Sequence, residues 1–330
     1  MSPASDPAIV PSVLPRPTLL GHIQIARFDH WVKNVFVLPG VVVALGIEPS
    51  RATSSLVWRL TVGLLATGFI ASSNYVLNEI LDAPFDARHP SKRLRPIPAG
   101  IVSVPLAYAQ WIVTMLFGMA LAATLGAQFA VTLAALWIMG CIYNIPPIRS
   151  KDLPYIDVLS EAVNNPLRML AGWFIVGPKA IAPASLLLSY WMVGCYFMAI
   201  KRFSEYRMID SSAVAASYRK SFAHYDEPRL LVAIIFYASA AMLFLGAFIM
   251  RYRMELILSC PLVALVMADY LAIAYKDNSA AQAPEKLYRE RGLMAAVVAC
   301  AVVMAILCFV DLPILHKVFT PTAPTVPTGP

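Results

Sequence analysis

The sequence predicts an all-α, polytopic membrane protein of about nine transmembrane helices, and three observations carry that expectation. Of the 330 residues, 59% are apolar and only 14% charged, with a mean hydropathy of +0.68. A soluble domain has roughly 45–50% apolar and about 25% charged residues. The apolar residues gather in runs of about 20, the length an α-helix needs to cross a hydrocarbon core of about 30 Å, and they lack the alternation of barrel strands. Finally, most of the 26 Lys and Arg residues fall on one side once these runs are threaded through a bilayer.

Residues 1–20 open with MSPASDPAIVPSVLPRPT, which is Pro-rich and has neither the charged start nor the small-residue cleavage site of a signal peptide. They read as a disordered N-terminal segment. One transmembrane domain is expected over 21–315, with spans at roughly 33–49, 56–81, 102–122, 126–144, 158–177, 182–200, 230–250, 256–275 and 292–311. The first is short. The fifth, within DVLSEAVNNPLRMLAGWFIVG, is unusually polar. The end of the chain, TPTAPTVPTGP, makes 316–330 a disordered tail.

Lys and Arg concentrate in the N-terminal segment and in loops 82–101, 145–157, 201–229 and 276–291. The positive-inside rule puts that side in the cytoplasm of a bacterial inner or plasma membrane, and an odd number of spans puts the C-terminus outside. The opposite side holds Arg51, Arg59, Lys179, Arg251, Arg253 and Lys317. The net charge of +7 is thereby a topology signal rather than a sign of nucleic-acid binding. The five cysteines, at 141, 195, 260, 300 and 308, lie scattered in apolar runs without metal-site or redox spacing, and read as packing residues.

The stretch NYVLNEILDAPFDARHPSKRLRPIPAG (74–100) sets acids, amides and bases at the lip of the second span. Asn74, Asn78 and Asp82 recur every four residues and Glu79 stands three before Asp82, so a helix projects them toward one broad face. Pro84 favours ending or kinking that helix near residue 83, which lets Asp86 fold back toward the same space. Hard oxygen donors of this kind suit Mg²⁺ shared with substrate phosphates, with Arg88, Lys92, Arg93 and Arg95 to take the remaining phosphate oxygens. The plainer reading is a solvated loop whose charges neutralise one another. Amides among the carboxylates favour a chelate over it.

Asn78-Glu79-x-x-Asp82-x-x-x-Asp86 resembles the NDxxDxxxD motif of the UbiA superfamily of intramembrane transferases, with Glu79 at the usual second aspartate, and RPIPAG (95–100) resembles its RP-[IL]-x-[SA]-G ending. The resemblance implies a helical bundle around a central cavity that holds a Mg²⁺-diphosphate at its cytoplasmic end, with Asn78, Glu79, Asp82 and Asp86 as metal-binding and catalytic residues. Prenyl-transferring members carry a second aspartate-rich motif, DxxxD, after helix six. This chain has YFMAIKRFSEYRMID there, with Lys201 and Arg202 near the expected aspartates and only Glu205 and Asp210 acidic.

RFDHWVKN (27–34), HPSKRLRPI (89–97), KRFSEYR (201–207) and YRKSFAHY (218–225) instead resemble the decaprenyl-phosphate phosphoribosyltransferase branch, and LRMLAG (167–172) fits it too. YNIPPIRSK (143–151) is closer to prenylating members. The branch moves 5-phosphoribose from phosphoribosyl diphosphate to a polyprenyl phosphate, so its substrates bring more phosphate than a prenyl diphosphate and a neutral ring. Lys33, Lys92, Arg93, Arg95, Lys151, Lys201, Arg202, Arg219 and Lys220 would meet that demand. Glu205 would touch ribose hydroxyls or pair with Lys201 on its own helix.

The fifth span adds Asp157 and Glu161 at i, i+4, then Asn164, Asn165 and Arg168. A charge at membrane depth costs about 2.5–3.5 kcal/mol unless paired or wet. These residues either brace the bundle as a buried network or line the polar head of a substrate cavity. His30, His89 and His224 lie beside basic segments and read as solvated loop residues rather than phosphate ligands. Two further functions stand beside phosphoribosyl transfer: prenyl transfer to an aromatic or other acceptor through the same metal site, and transport. A transporter would place its site near the midplane, whereas this cluster lies at one face.

Overall fold

The structure is a computed structural model that describes residues 16–87, 92–208, 220–276, 279–282 and 284–319. Among the described residues there is no strand. Helix α1 (Leu19–Ile25) starts where the Thr18 hydroxyl accepts the Gly21 N–H at 3.0 Å. A 3₁₀ stretch, Phe28–Val37, leads into α2 (Leu38–Ile47). Then come α3 (Ser55–Asp86), α4 (Val104–Leu125), α5 (Ala127–Asn144), α6 (Ile156–Ala162), α7 (Asn164–Val176) and α8 (Ala184–Arg207). The last four are α9 (Glu227–Tyr252), α10 (Cys260–Ala274), α11 (Arg291–Leu307) and α12 (Pro313–Val318).

Among the described residues, seven segments are long and apolar enough to cross a membrane: Leu19–Ile47, α3, α4, α5, α8, α9 and Met254–Ala274. They coincide with seven of the nine expected spans, although the first begins well before residue 33. The fifth and ninth differ. The fifth is divided into α6 and α7, because Pro166 has no N–H to give Ala162 and the chain turns at Val163. The ninth is α11, only 17 residues long. Pro84 does not stop the second span, which continues through it to Asp86. Only one intrahelical bond is lost so near the end, and the Ala87 N–H closes on the Ala83 carbonyl at 3.0 Å. The tails expected at 1–20 and 316–330 lie mostly outside the described residues, with Leu19 and Leu20 in α1 and His316 to Val318 in α12.

Helix α3 pairs with α4, and α8 with α9, along most of their lengths. One apolar core joins α2, α3, α5 and α7 through Val41, Ala66, Ile70, Phe129, Leu133 and Ile175. Another joins α8, α9 and α10 through Ile200, Phe203, Ile234, Tyr237, Tyr270 and Ile273. Large apolar side chains such as Val131, Val232 and Leu243 point outward. That suits a protein solvated by lipid, where every backbone group must be paired within the helices.

The α2–α7 crossing depends on two glycines. A Cβ on Gly40 would run into the Met169 carbonyl, and one on Gly172 into the Val37 carbonyl. With no hydrophobic drive between helices in lipid, such close backbone approach supplies the association. Gly172→Ala should therefore destabilise the protein by about 1–3 kcal/mol through overpacking. Thermal unfolding in detergent should show a lower midpoint, with little change for Gly246→Ala, where a Cβ meets nothing within 4 Å.

Candidate active site

The last turns of α3 meet the loop that follows α5. Asp82 Oδ1 accepts from Lys151 Nζ at 2.6 Å and from Arg149 Nη2 at 3.0 Å. The same ammonium donates to Asn144 Oδ1 at 2.7 Å and lies 3.4 Å from Asn78 Oδ1. Lys151 is only 6% exposed, so its charge depends on these oxygens. Arg149 sits in the left-handed backbone region, with its guanidinium over the Phe85 ring and its Nε 3.2 Å from Asp152. Asp86 is held by Arg95 at 2.5 Å. Glu79 is buried, with Oε2 3.7 Å from Arg27 and Oε1 lacking a hydrogen-bond partner among the described residues. Asn74 turns instead toward α5, donating to the Leu136 carbonyl at 3.0 Å.

A second charged cluster lies where α6 meets α8. Arg202, 1% exposed, places Nε 3.0 Å from Asp157, Nη2 3.0 Å from Glu161 and Nη1 3.0 Å from Glu205. Asp157 is fully buried and also accepts from the Tyr225 hydroxyl at 2.6 Å and from Ser221 at 3.3 Å. Burial and the neighbouring Asp157 carboxylate push the Tyr225 phenol well above its usual range, so it stays protonated and donates. Tyr143 links the clusters: its hydroxyl donates to Glu161 at 2.8 Å, and its ring centroid lies 5.8 Å from Lys151 Nζ.

The remaining expected site residues distribute around these centres. Lys33 Nζ lies 5.9 Å from the Tyr75 ring centroid, and His30 packs edge-on against the same ring. Lys201 is near enough to Glu205, Glu161 and Lys33 to interact with their charges. Lys92 is partly buried and Arg93 exposed. Arg168 is buried but joins none of these ion pairs, and its Nε has no hydrogen-bond partner among the described residues. Arg88, His89, Asp210 and Arg219 lie outside the described residues.

Among the described residues no three His, Cys, Asp or Glu side chains are placed to hold one metal ion. The oxygens of Asn78, Asp82 and Asn144 nevertheless converge on the Lys151 ammonium. An amide–carboxylate set that converges on a cation has the hard-oxygen chemistry that suits a divalent ion. Sequence reasoning placed Lys151 among the loop cations but missed Arg149, Tyr143 and Asn144 as its companions, and Arg27 as the partner of Glu79. The available signals were the stretches YNIPPIRSK and RFDHWVKN.

The UbiA prenyltransferase family profile matches residues 35–299. The chain belongs to the UbiA prenyltransferase family. It is an integral membrane transferase of that family. A decaprenyl-phosphate phosphoribosyltransferase of Mycobacterium tuberculosis (strain ATCC 25618 / H37Rv) is 28% identical over 232 residues, covering 70% of this chain and 74% of the relative. Nodulation protein NoeC of Azorhizobium caulinodans is 25% identical over 228 residues, 69% and 71% of the two chains. The UbiA homologue of Archaeoglobus fulgidus bound to GPP and Mg²⁺ superposes with a TM-score of 0.66 at 21% identity, covering 88% of this chain and 99% of its own. That match shows the fold.

The Arg202 cluster gives a direct test. Arg202→Met strands the buried Asp157 carboxylate, removes the contacts to Glu161 and Glu205, and should cost about 3–5 kcal/mol. Pairing it with Asp157→Asn should recover part of that loss, read as a non-additive double-mutant cycle in thermal unfolding.

Proposed function

We propose that this UbiA family member transfers 5-phosphoribose from phosphoribosyl diphosphate to a polyprenyl phosphate at the cytoplasmic face. The observation that carries the reading is the Arg202 guanidinium seated among Asp157, Glu161 and Glu205. It stands near the position where the prenylating members' second aspartate-rich motif is expected, putting a cation where a second metal-diphosphate clamp needs a carboxylate. Relatives named decaprenyl-phosphate phosphoribosyltransferase support the same substrate pair.

Asn78, Asp82 and Asp86, with Glu79, would hold Mg²⁺. Bound there, Mg²⁺ neutralises the donor diphosphate and makes it a better leaving group. Lys151 and Arg149 turn from Asp82 toward the diphosphate oxygens, and Arg95 turns from Asp86, exchanging internal ion pairs for charge-assisted bonds to phosphate. Lys33, Lys92, Arg93 and Lys201 supply further charge for the 5-phosphate and the lipid phosphate. A lipid phosphate oxygen attacks the anomeric carbon, the C–O bond to the diphosphate breaks, and the diphosphate departs with the electron pair. The attacking phosphate is already anionic, so the site has no need of a general base.

Prenyl transfer to an aromatic or other acceptor is the second reading, favoured by the fold shared with a homologue bound to GPP. Purified protein supplied with Mg²⁺, labelled phosphoribosyl diphosphate and polyprenyl phosphate should form a labelled lipid. Product only from prenyl diphosphate and an aromatic acceptor would overturn the phosphoribosyl reading. Asp82→Asn with Asp86→Asn should lower turnover roughly 10²- to 10³-fold, the scale of a lost transition-state charge contact. Chelator should abolish turnover and added Mg²⁺ restore it. Full activity in chelator would remove the metal from the reading.

A further inference from the structure

The end of the bundle opposite Asp82 carries a pair of arginines, Arg51 and Arg59, that the proposed transfer reaction leaves unused. At 1.5 Å per residue, Ser55 at the start of α3 lies about 40 Å along the helix from Asp82. A bilayer core of about 30 Å thus separates the two. A cleft of about 380 Å³ opens there. Its lining combines the guanidiniums of Arg51 and Arg59 with the hydroxyls of Ser50, Thr53 and Ser55, and includes no carboxylate.

Both guanidiniums are anchored. Arg59 donates through Nε to the Ile175 carbonyl at 2.6 Å and through Nη2 to the Phe174 carbonyl at 3.2 Å, which satisfies the last turn of α7. Arg51 is braced through Nε by Glu48. They border one spot. A Cβ on Gly177, whose φ is +90°, would lie 3.4 Å from Arg59 Nη2 and 3.9 Å from Arg51 Nη1. The absent side chain keeps that spot open.

Trp58, 67% exposed, stands beside Arg59. An outward indole at a helix end marks the level where headgroups meet acyl chains. Arginine forks and hydroxyls match phosphate oxygens. This is also the cation-poor side of the protein, so topology bias does not explain the two arginines. We propose that the cleft binds the phosphate of an anionic membrane lipid.

The test measures thermal midpoints of the purified full chain in neutral detergent, titrated with phosphatidylglycerol, phosphatidylcholine or inorganic phosphate. Phosphatidylglycerol should stabilise the protein and phosphatidylcholine should not. Arg51→Gln should weaken the apparent affinity for phosphatidylglycerol roughly tenfold, the scale of one lost charge-assisted bond. Thr53→Glu, an exposed change that puts a carboxylate at the cleft, should abolish the effect, while Lys317→Gln should leave it intact. An equal response in the wild type and Thr53→Glu overturns the proposal. So does stabilisation by inorganic phosphate alone, which would make the ligand a soluble anion.

Discussion

Charge withdrawn from water must be matched, and one end of this bundle is organised around that requirement. Carboxylates from α3 and α6 gather there, each against a cation delivered from elsewhere in the chain: Arg27 before the first 3₁₀ stretch, Arg95 after α3, Arg149 and Lys151 after α5, and Arg202 on α8. These pairs tie together segments far apart in the chain, so folding this end and assembling the site are one electrostatic problem. The apolar cores fix where the helix ends arrive, and the ion pairs fix how they face one another.

Much of this was legible in the sequence because it is local. Runs of apolar residues located the helices, and the four-residue spacing of Asn78 and Asp82 placed both on one face of α3. Long-range partners were not legible. No periodicity relates Asp82 to Arg149 and Lys151, which reach it only because α5 returns the chain to the same end. Arg202 meets Asp157 across a separate helix for the same reason. Local rules also erred in scale: Pro84 favoured an end or a kink near residue 83, yet the helix runs on to Asp86, and so near its end the missing donor costs one bond. Pro166, farther inside a span, divides it.

The acidic cluster at the end of α3 does not stand empty. The carboxylates at both clusters already hold cations, so an incoming polyanion would compete for partners rather than fill a vacant acidic basin. A polyphosphorylated donor is well placed in that competition, since it offers several oxygens to the arginines and lysines it draws away.

The division between α6 and α7 has a mechanical consequence. Helix α7 is locked against α2 by glycine-mediated backbone contact, whereas α6, which bears Asp157 and Glu161, begins on the other side of the Val163 turn. The segment that carries the carboxylates can re-aim by a fraction of an ångström without shearing the tight crossing. A continuous helix would transmit every adjustment straight into that crossing.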